Sequence, residues 1–298
     1  MKIMKGIIPA LVTPFDEKNQ VDCGALKELV EYLLEQQVSG FYVCGSTGEC
    51  FLMDIQERMR VAETVLESVH GRVPVVVHVG SMSTENAVLL AKHAAAHGAD
   101  FVSSVPPFYY SFSQDEINSY YADISAAVDL PIIVYNIPAF SGVSFNAENI
   151  RKLFDSCNIW GLKYTAYDLF ELERIHRGCP KLALFYGHDE LFLNALPIGL
   201  QGAIGSTYNI MPQKFSYIWQ MYKDGEMEYA SAAQAQANEI IDTLIECGVT
   251  SSIKYLLSKR GIPCGNCRAP FSALSPAQSA KLDALSQILA TDATKVHA

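Results

Sequence analysis

Basic residues are in the minority in this 298-residue chain, where 22 Lys and Arg stand against 32 Asp and Glu for a net charge of −10. Sequence-independent attraction to nucleic acid needs clustered cations against phosphate, so no nucleic-acid partner is expected. The chain also lacks the run of roughly 18 apolar residues that a membrane helix requires. Lys92, His93 and His97 interrupt one of its most apolar stretches, and no membrane partner is expected. No opening segment joins a basic start, an apolar run and a small-residue cleavage site, because Met1 to Lys5 leads straight into a predicted strand. A cytoplasmic location follows as the expectation. The eight cysteines are then reduced thiols; Cys44 and Cys247 sit inside apolar patterns, where Cys acts as a small hydrophobe. Cys264 and Cys267 form a lone C-x-x-C with no second pair at finger-like spacing, which is too few ligands for structural zinc, so no metal is expected. Nor does a Gly-x-Gly-x-x-Gly follow an early strand, which removes the dinucleotide-binding reading. Without a linker rich in Pro, Gly or Ser, the chain reads as one packed unit.

What is present is apolar material in a regular order: half of the residues are hydrophobic and 18% are charged. Short apolar, β-branched runs recur at Ile7 to Thr13, Gly40 to Cys44, Val73 to Val79, Phe101 to Val105, Ile132 to Tyr135, Ile159 to Tyr164, Leu182 to Tyr186 and Ala203 to Gly205. They are continuous rather than alternating, as strands covered on both faces are. Helical patterns separate them: Leu26, Leu29, Val30 and Leu33 share one face, and Asp54 with Glu57 spells a capping box. Eight strand-helix units predict an α/β fold of the TIM (β/α)₈ type. Residues 1–211 hold the barrel strands and helices. Residues 212–298 add the last barrel helix and a C-terminal helical extension, opened near its end by Ser275-Pro276 and packed in the same domain.

Barrel enzymes carry their chemistry at the C-terminal ends of the strands. Lys163 is the one Lys or Arg within the eight runs. Burying an ammonium without a partner is costly, so a lysine held there tends to give up its proton, and the free amine attacks a ketone to form an imine. A barrel lysine paired with Asp189 or Glu190 fits the composition equally well. Tyr135 ends the neighbouring strand as either a proton shuttle or a packing residue. The Gly45-Ser46-Thr47-Gly48 turn offers hydroxyls and backbone N–H groups to a carboxylate, which an acidic protein must bind through locally aimed donors. Asp189 and Glu190 read as sugar-hydroxyl ligands or as helix caps.

In these motifs the chain resembles the dihydrodipicolinate synthase and N-acetylneuraminate lyase superfamily over nearly its whole length. Gly45-Ser46-Thr47-Gly48-Glu49 is similar to that family's pyruvate-carboxylate loop, Tyr135-Asn136-Ile137-Pro138 to its catalytic tyrosine motif, and Gly161-Leu162-Lys163 to its Schiff-base strand. The lyase branch is favoured by Ser46, by Phe140 where synthases keep an arginine, and by the segments Gly187-His188-Asp189-Glu190 and Gly205 to Met211. Tyr164 and Ala166 depart from the pattern of familiar bacterial lyases and leave the tail preference open.

The resemblance implies a cofactor-independent class I lyase that splits N-acetylneuraminate into pyruvate and N-acetylmannosamine. In that reading Lys163 is the nucleophile and Tyr135 the proton relay, Ser46 and Thr47 hold the carboxylate, and Thr165, Gly187, Asp189, Glu190 and Ser206 line the sugar tail. It also implies a homotetramer in which Tyr109 touches a neighbouring subunit's site. Two alternatives stand beside it: an aldolase for another 2-keto-3-deoxy sugar acid, and a non-catalytic sugar-acid binder.

Overall fold

The computed structural model describes the backbone of residues 3–295 and the side chains of residues 3–290. Eight strands form: β1 (Gly6–Pro9), β2 (Phe41–Val43), β3 (Val75–His78), β4 (Phe101–Ser104), β5 (Ile132–Asn136), β6 (Ile159–Tyr164), β7 (Ala183–Tyr186) and β8 (Gly202–Gly205). All pair in parallel, in the order β1-β8-β7-β6-β5-β4-β3-β2. The ring closes between β1 and β2, where a bridge joins Ala10 to Tyr42 and the Leu11 N–H donates to the Tyr42 carbonyl at 2.9 Å. Helices on the outside connect the strands, giving the (β/α)₈ barrel.

Two apolar layers result. Side chains that point outward from the sheet, such as Val43, Val77, Val134 and Leu162, join the helices in one large core. Those that point inward, including Ile8, Tyr42, Val76, Phe101, Ile133, Phe185 and Ile204, fill the lumen. The lumen is a packed interior, so chemistry is confined to its mouth.

The register between β5 and β6 shifts by one residue at its start. Ile132 pairs with Ile159 but Ile133 pairs with Gly161, which leaves Trp160 as the extra residue of a bulge. Because side chains alternate faces along a strand, one extra residue reverses the facing of everything after it. Here Ile159 points out to the helices, Trp160 turns into the lumen against Phe101, and Lys163 comes opposite Tyr135.

The capping signals are realised. The Asp54 side chain accepts from the Glu57 N–H while Glu57 returns the bond, opening the helix Ile55–Val69. Ser275 and Gln278 do the same at the start of Pro276–Lys295. Leu282, Leu285 and Leu289 of that last helix are buried in the same core as the barrel helices. The C-terminal part is less continuously helical than its pattern predicts. After the helices Pro212–Asp224, Met227–Cys247 and Val249–Ser258, residues 259–275 run as an irregular segment. Contacts with the loops after β1 and β2 hold it: the Phe15 N–H donates to the Cys264 carbonyl at 3.1 Å, and Arg268 pairs with Glu57. All eight cysteines are free, and burial pushes the Cys264 thiol up to about 12.

Candidate active site

Lys163 is 4% exposed. Its ammonium position lies 4.0 Å from the centre of the Tyr135 ring and 4.4 Å from that of Tyr42. Among the described residues no carboxylate pairs with it, so the ion pair with Asp189 or Glu190 that the composition allows does not form. Asp189 accepts instead from the backbone N–H and hydroxyl of Thr207, at 3.0 and 2.7 Å. Glu190 lies 3.1 Å from His188 Nδ1 and accepts from the Tyr167 hydroxyl at 3.2 Å.

The polar groups around Lys163 divide by their hydrogen bonds. Ser103 donates its proton to the Ile133 carbonyl at 2.7 Å, so at the 3.0 Å contact between Tyr42 and Ser103 the phenol is the donor. Burial, chiefly, pushes the Tyr42 phenol well above its ordinary value. His78 is committed at both nitrogens: Nδ1 donates to the Cys44 carbonyl at 2.9 Å, and Nε2 accepts from the Val105 N–H at 3.2 Å. Burial first, then the Arg58 guanidinium, drives His78 well below its ordinary value, so it is a neutral, oriented ring. Arg58 in turn donates to the carbonyls of Gly80 and His78, at 2.9 and 2.8 Å. The Tyr135 hydroxyl has no hydrogen-bond partner among the described residues, which leaves it available to a reacting group.

The turn after β2 faces this cluster. Gly45 to Cys50 curls through backbone bonds from Gly48 N–H to the Gly45 carbonyl and from Glu49 N–H to the Ser46 carbonyl, at 3.1 and 3.0 Å. The Thr47 and Ser206 hydroxyls meet at 2.6 Å, which ties the loops after β2 and β8 together. Glu49 closes the turn in the left-handed region at φ 56° and sends its carboxylate away from the mouth. There it takes the Lys254 ammonium and, at 2.8 Å, the Arg268 N–H. Both partners come from the C-terminal segment, more than two hundred residues along the chain.

At the ends of β6 to β8, glycines make room for polar side chains. A Cβ on Gly187 would fall 1.9 Å from the Thr165 hydroxyl, and one on Gly205 would fall 1.7 Å from Asp189 Oδ1. Thr165 Oγ1 is buried without a hydrogen-bond partner, whereas Asp189 has the Tyr208 hydroxyl beside it. A buried hydroxyl in the state of Thr165 can donate to or accept from a polar group of a bound molecule. Asp189 and Glu190 do not cap the turn they begin. Burial holds Asp189 above the usual carboxylate range. For Glu190 burial acts in the same direction, but His188 and local N–H groups outweigh it and leave the net shift downward.

Sequence reasoning missed several supporting groups. Tyr42 and His78 looked like ordinary strand residues; the signal was a polar tip at the mouth end of β2 and β3. Gln234 and Asn238, on the helix Met227–Cys247, donate to the Asp189 and Glu190 carbonyls at 3.1 Å each. Tyr164 points outward, with its hydroxyl on the Asp168 carbonyl at 2.9 Å, so its departure from the familiar pattern lies outside the lumen.

Residues 3–289 match the dihydrodipicolinate synthetase family. The chain belongs to that family. Within it, the chain is 43% identical to N-acetylneuraminate lyase 2 of Escherichia coli O6:H1, over 95% of its own length and 93% of the relative's. Among solved structures of this family's fold, a Clostridium difficile protein in complex with mannosamine superposes with a TM-score of 0.94 at 33% identity, covering 97% of this chain and 100% of that one. The sialic acid aldolase of Ruminococcus gnavus superposes at 0.95 with 28% identity, covering 99% of each chain.

Proposed function

We infer that this family member is a class I lyase that cleaves N-acetylneuraminate into pyruvate and N-acetylmannosamine. The observation that carries the reading is the pairing of Lys163 with Tyr135: a buried amine without a carboxylate partner, opposite an unengaged phenol, at the mouth of a barrel. Relatives that bear the lyase name over nearly the full chain supply the substrate.

In the reaction, the neutral amine of Lys163 adds to the ketone carbon of the open-chain sugar acid, and loss of water from the carbinolamine gives an iminium. Tyr135 shuttles the protons of these steps. The iminium then draws the electron pair of the bond two carbons away, while the sugar hydroxyl on the departing carbon yields its proton to Tyr135. N-acetylmannosamine leaves as the aldehyde and an enamine remains. Protonation of the enamine and hydrolysis of the imine release pyruvate and the free lysine. No step calls on a metal or an organic cofactor.

Ser46 and Thr47 hold the carboxylate, the first through a hydroxyl without a partner among the described residues. Thr165, Asp189, Glu190 and Ser206 receive the polyhydroxy tail, and Gly187 leaves space for it. The chain acts in the cytoplasm; among the described residues no helix is long and apolar enough to cross a membrane. It works as a homotetramer in which Tyr109, 77% exposed on the loop after β4, is covered by a second copy. Light scattering checks this, with a tetramer for the wild type and a smaller species for Tyr109→Asp.

Pyruvate release from N-acetylneuraminate tests the function: the wild type turns over and Lys163→Ala does not. Turnover of a different 2-keto-3-deoxy acid in place of N-acetylneuraminate would transfer the same chemistry to another sugar acid.

A further inference from the structure

Helices Ile55–Val69 and Thr84–Ala96 lie side by side outside β3, and they bring together groups that the lyase chemistry does not use. Glu63 on the first helix faces His93 and His97, one helical turn apart at the end of the second. His93 Nε2 is 2.7 Å and His97 Nε2 is 3.4 Å from the same carboxylate oxygen, Glu63 Oε1. The ligand atoms of all three residues lie within 4.8 Å of one another. The two imidazole rings are 4.2 Å apart between centres and inclined by 31°.

The hydrogen bonding leaves one acceptor facing another at this cluster. His97 Nδ1 is 2.8 Å from the His93 carbonyl oxygen. A carbonyl only accepts, so Nδ1 carries the hydrogen, and in the neutral ring Nε2 bears the lone pair. That lone pair faces a carboxylate oxygen, another acceptor. The mismatch is relieved by a positive particle between them, either a proton on Nε2 or a metal ion. His93 already needs a proton on Nε2 to donate to the same oxygen. Relief by a proton alone makes His97 cationic, 4.2 Å from the neutral His93 ring. One divalent ion instead takes both Nε2 lone pairs, with each neutral ring carrying its hydrogen on Nδ1. The contact from Nδ1–H to a backbone carbonyl is also the support that orients a metal-binding histidine.

We propose that Glu63, His93 and His97 bind one divalent transition-metal ion of the class that favours imidazole with carboxylate, such as Zn²⁺, with solvent completing the shell. Donors about 2.1 Å from a tetrahedral zinc lie roughly 3.4 Å from each other. The His97–Glu63 separation, 3.4 Å, already matches this, and the His93–Glu63 hydrogen bond opens by a fraction of an ångström. The helix Thr84–Ala96 runs back from the mouth end of β3 to the start of β4, so its last turn lies at the opposite end of the barrel from Lys163. The ion thus clamps two outer helices and takes no part in the lyase reaction.

The test is titration of the untagged, chelator-treated, reduced full chain with Co²⁺, read by visible absorption, followed by competition with Zn²⁺. The expected result is one ion per chain, with d–d bands and no thiolate charge-transfer band. His97→Gln and His93→Gln each weaken binding by about tenfold or more. In thermal melts Zn²⁺ raises the transition of the wild type but not of His97→Gln, a half-exposed position where glutamine is accommodated. Absence of saturable Co²⁺ uptake, a thiolate band, or equal binding by the His93→Gln/His97→Gln double variant would overturn the proposal.

Discussion

Tyr42, His78, Tyr135 and Lys163 crowd one end of the lumen, and their hydrogen bonds assign their duties. Tyr42 spends its proton on Ser103, and His78 spends both nitrogens on backbone. Of the two phenols beside Lys163, Tyr135 alone has its hydroxyl unengaged among the described residues, which is why the proposed mechanism gives proton transfer to it. Tyr135→Phe is expected to lower kcat by about 10²–10⁴-fold, the range for loss of a general acid–base group. Tyr42→Phe keeps the ring against Lys163 and loses a buried hydrogen bond, so it should cost about 1 kcal/mol of stability with a much smaller effect on rate. Steady-state kinetics and denaturant melts on the two variants check the assignment, and equal losses of rate would contradict it. At this scale the sequence was informative about Lys163, because a lone cation in an apolar strand is conspicuous. It was silent about Tyr42 and His78, since an aromatic ring in a strand reads as core until the strand's inward face is known.

Among the elements, β6 was readable to the residue, whereas the bulge that aims it was not. Whether Trp160 is the extra residue depends on how β6 registers against β5, and a single strand carries no such information. Similarly, the run Ile7 to Thr13 looks like one strand, but only Gly6–Pro9 keeps the ladder. Beyond it, the Leu11 N–H bonds to Tyr42 and the Thr13 hydroxyl donates to the Gly48 carbonyl at 2.8 Å, so the chain becomes a support for the Ser46-Thr47 turn. That turn is anchored from below by Glu49 and Lys254, 0% and 1% exposed at their side chains. Removing one partner leaves a charge buried alone. Lys254→Met should therefore destabilise the chain by about 3–5 kcal/mol and, through the loosened turn, raise KM for the keto acid. Thermal melts and kinetics check this; an unchanged KM in a folded variant would show that the turn does not need its anchor.

Over the whole molecule, the C-terminal segment returns across the chain to fasten the β2 region. Arg268 makes two contacts with Glu57 and also donates to the Leu52 carbonyl at 2.9 Å. This closure was not legible beforehand, because its partners are separated by more than two hundred residues and the intervening pattern suggests only helix. Hydrogen bonding to Arg268, the leading cause, holds Glu57 below its ordinary value of 4.5, with burial opposing it. A carboxyl whose folded value lies below its unfolded one stabilises the fold fully above the unfolded value. It loses that contribution as pH falls through the folded one. Glu57→Gln is therefore expected to melt lower than wild type near neutrality and to lose less stability on acidification below about pH 5. Thermal melts across that range check the sign, and parallel acid limbs for the two proteins would refute it.

Borohydride trapping with pyruvate, followed by peptide mass mapping, tests the central chemistry most directly. A reduced pyruvyl adduct on the peptide that carries Lys163, absent from Lys163→Ala, is the predicted result. An adduct on another lysine, or none at all, would contradict the assignment of Lys163 as the Schiff-base nucleophile.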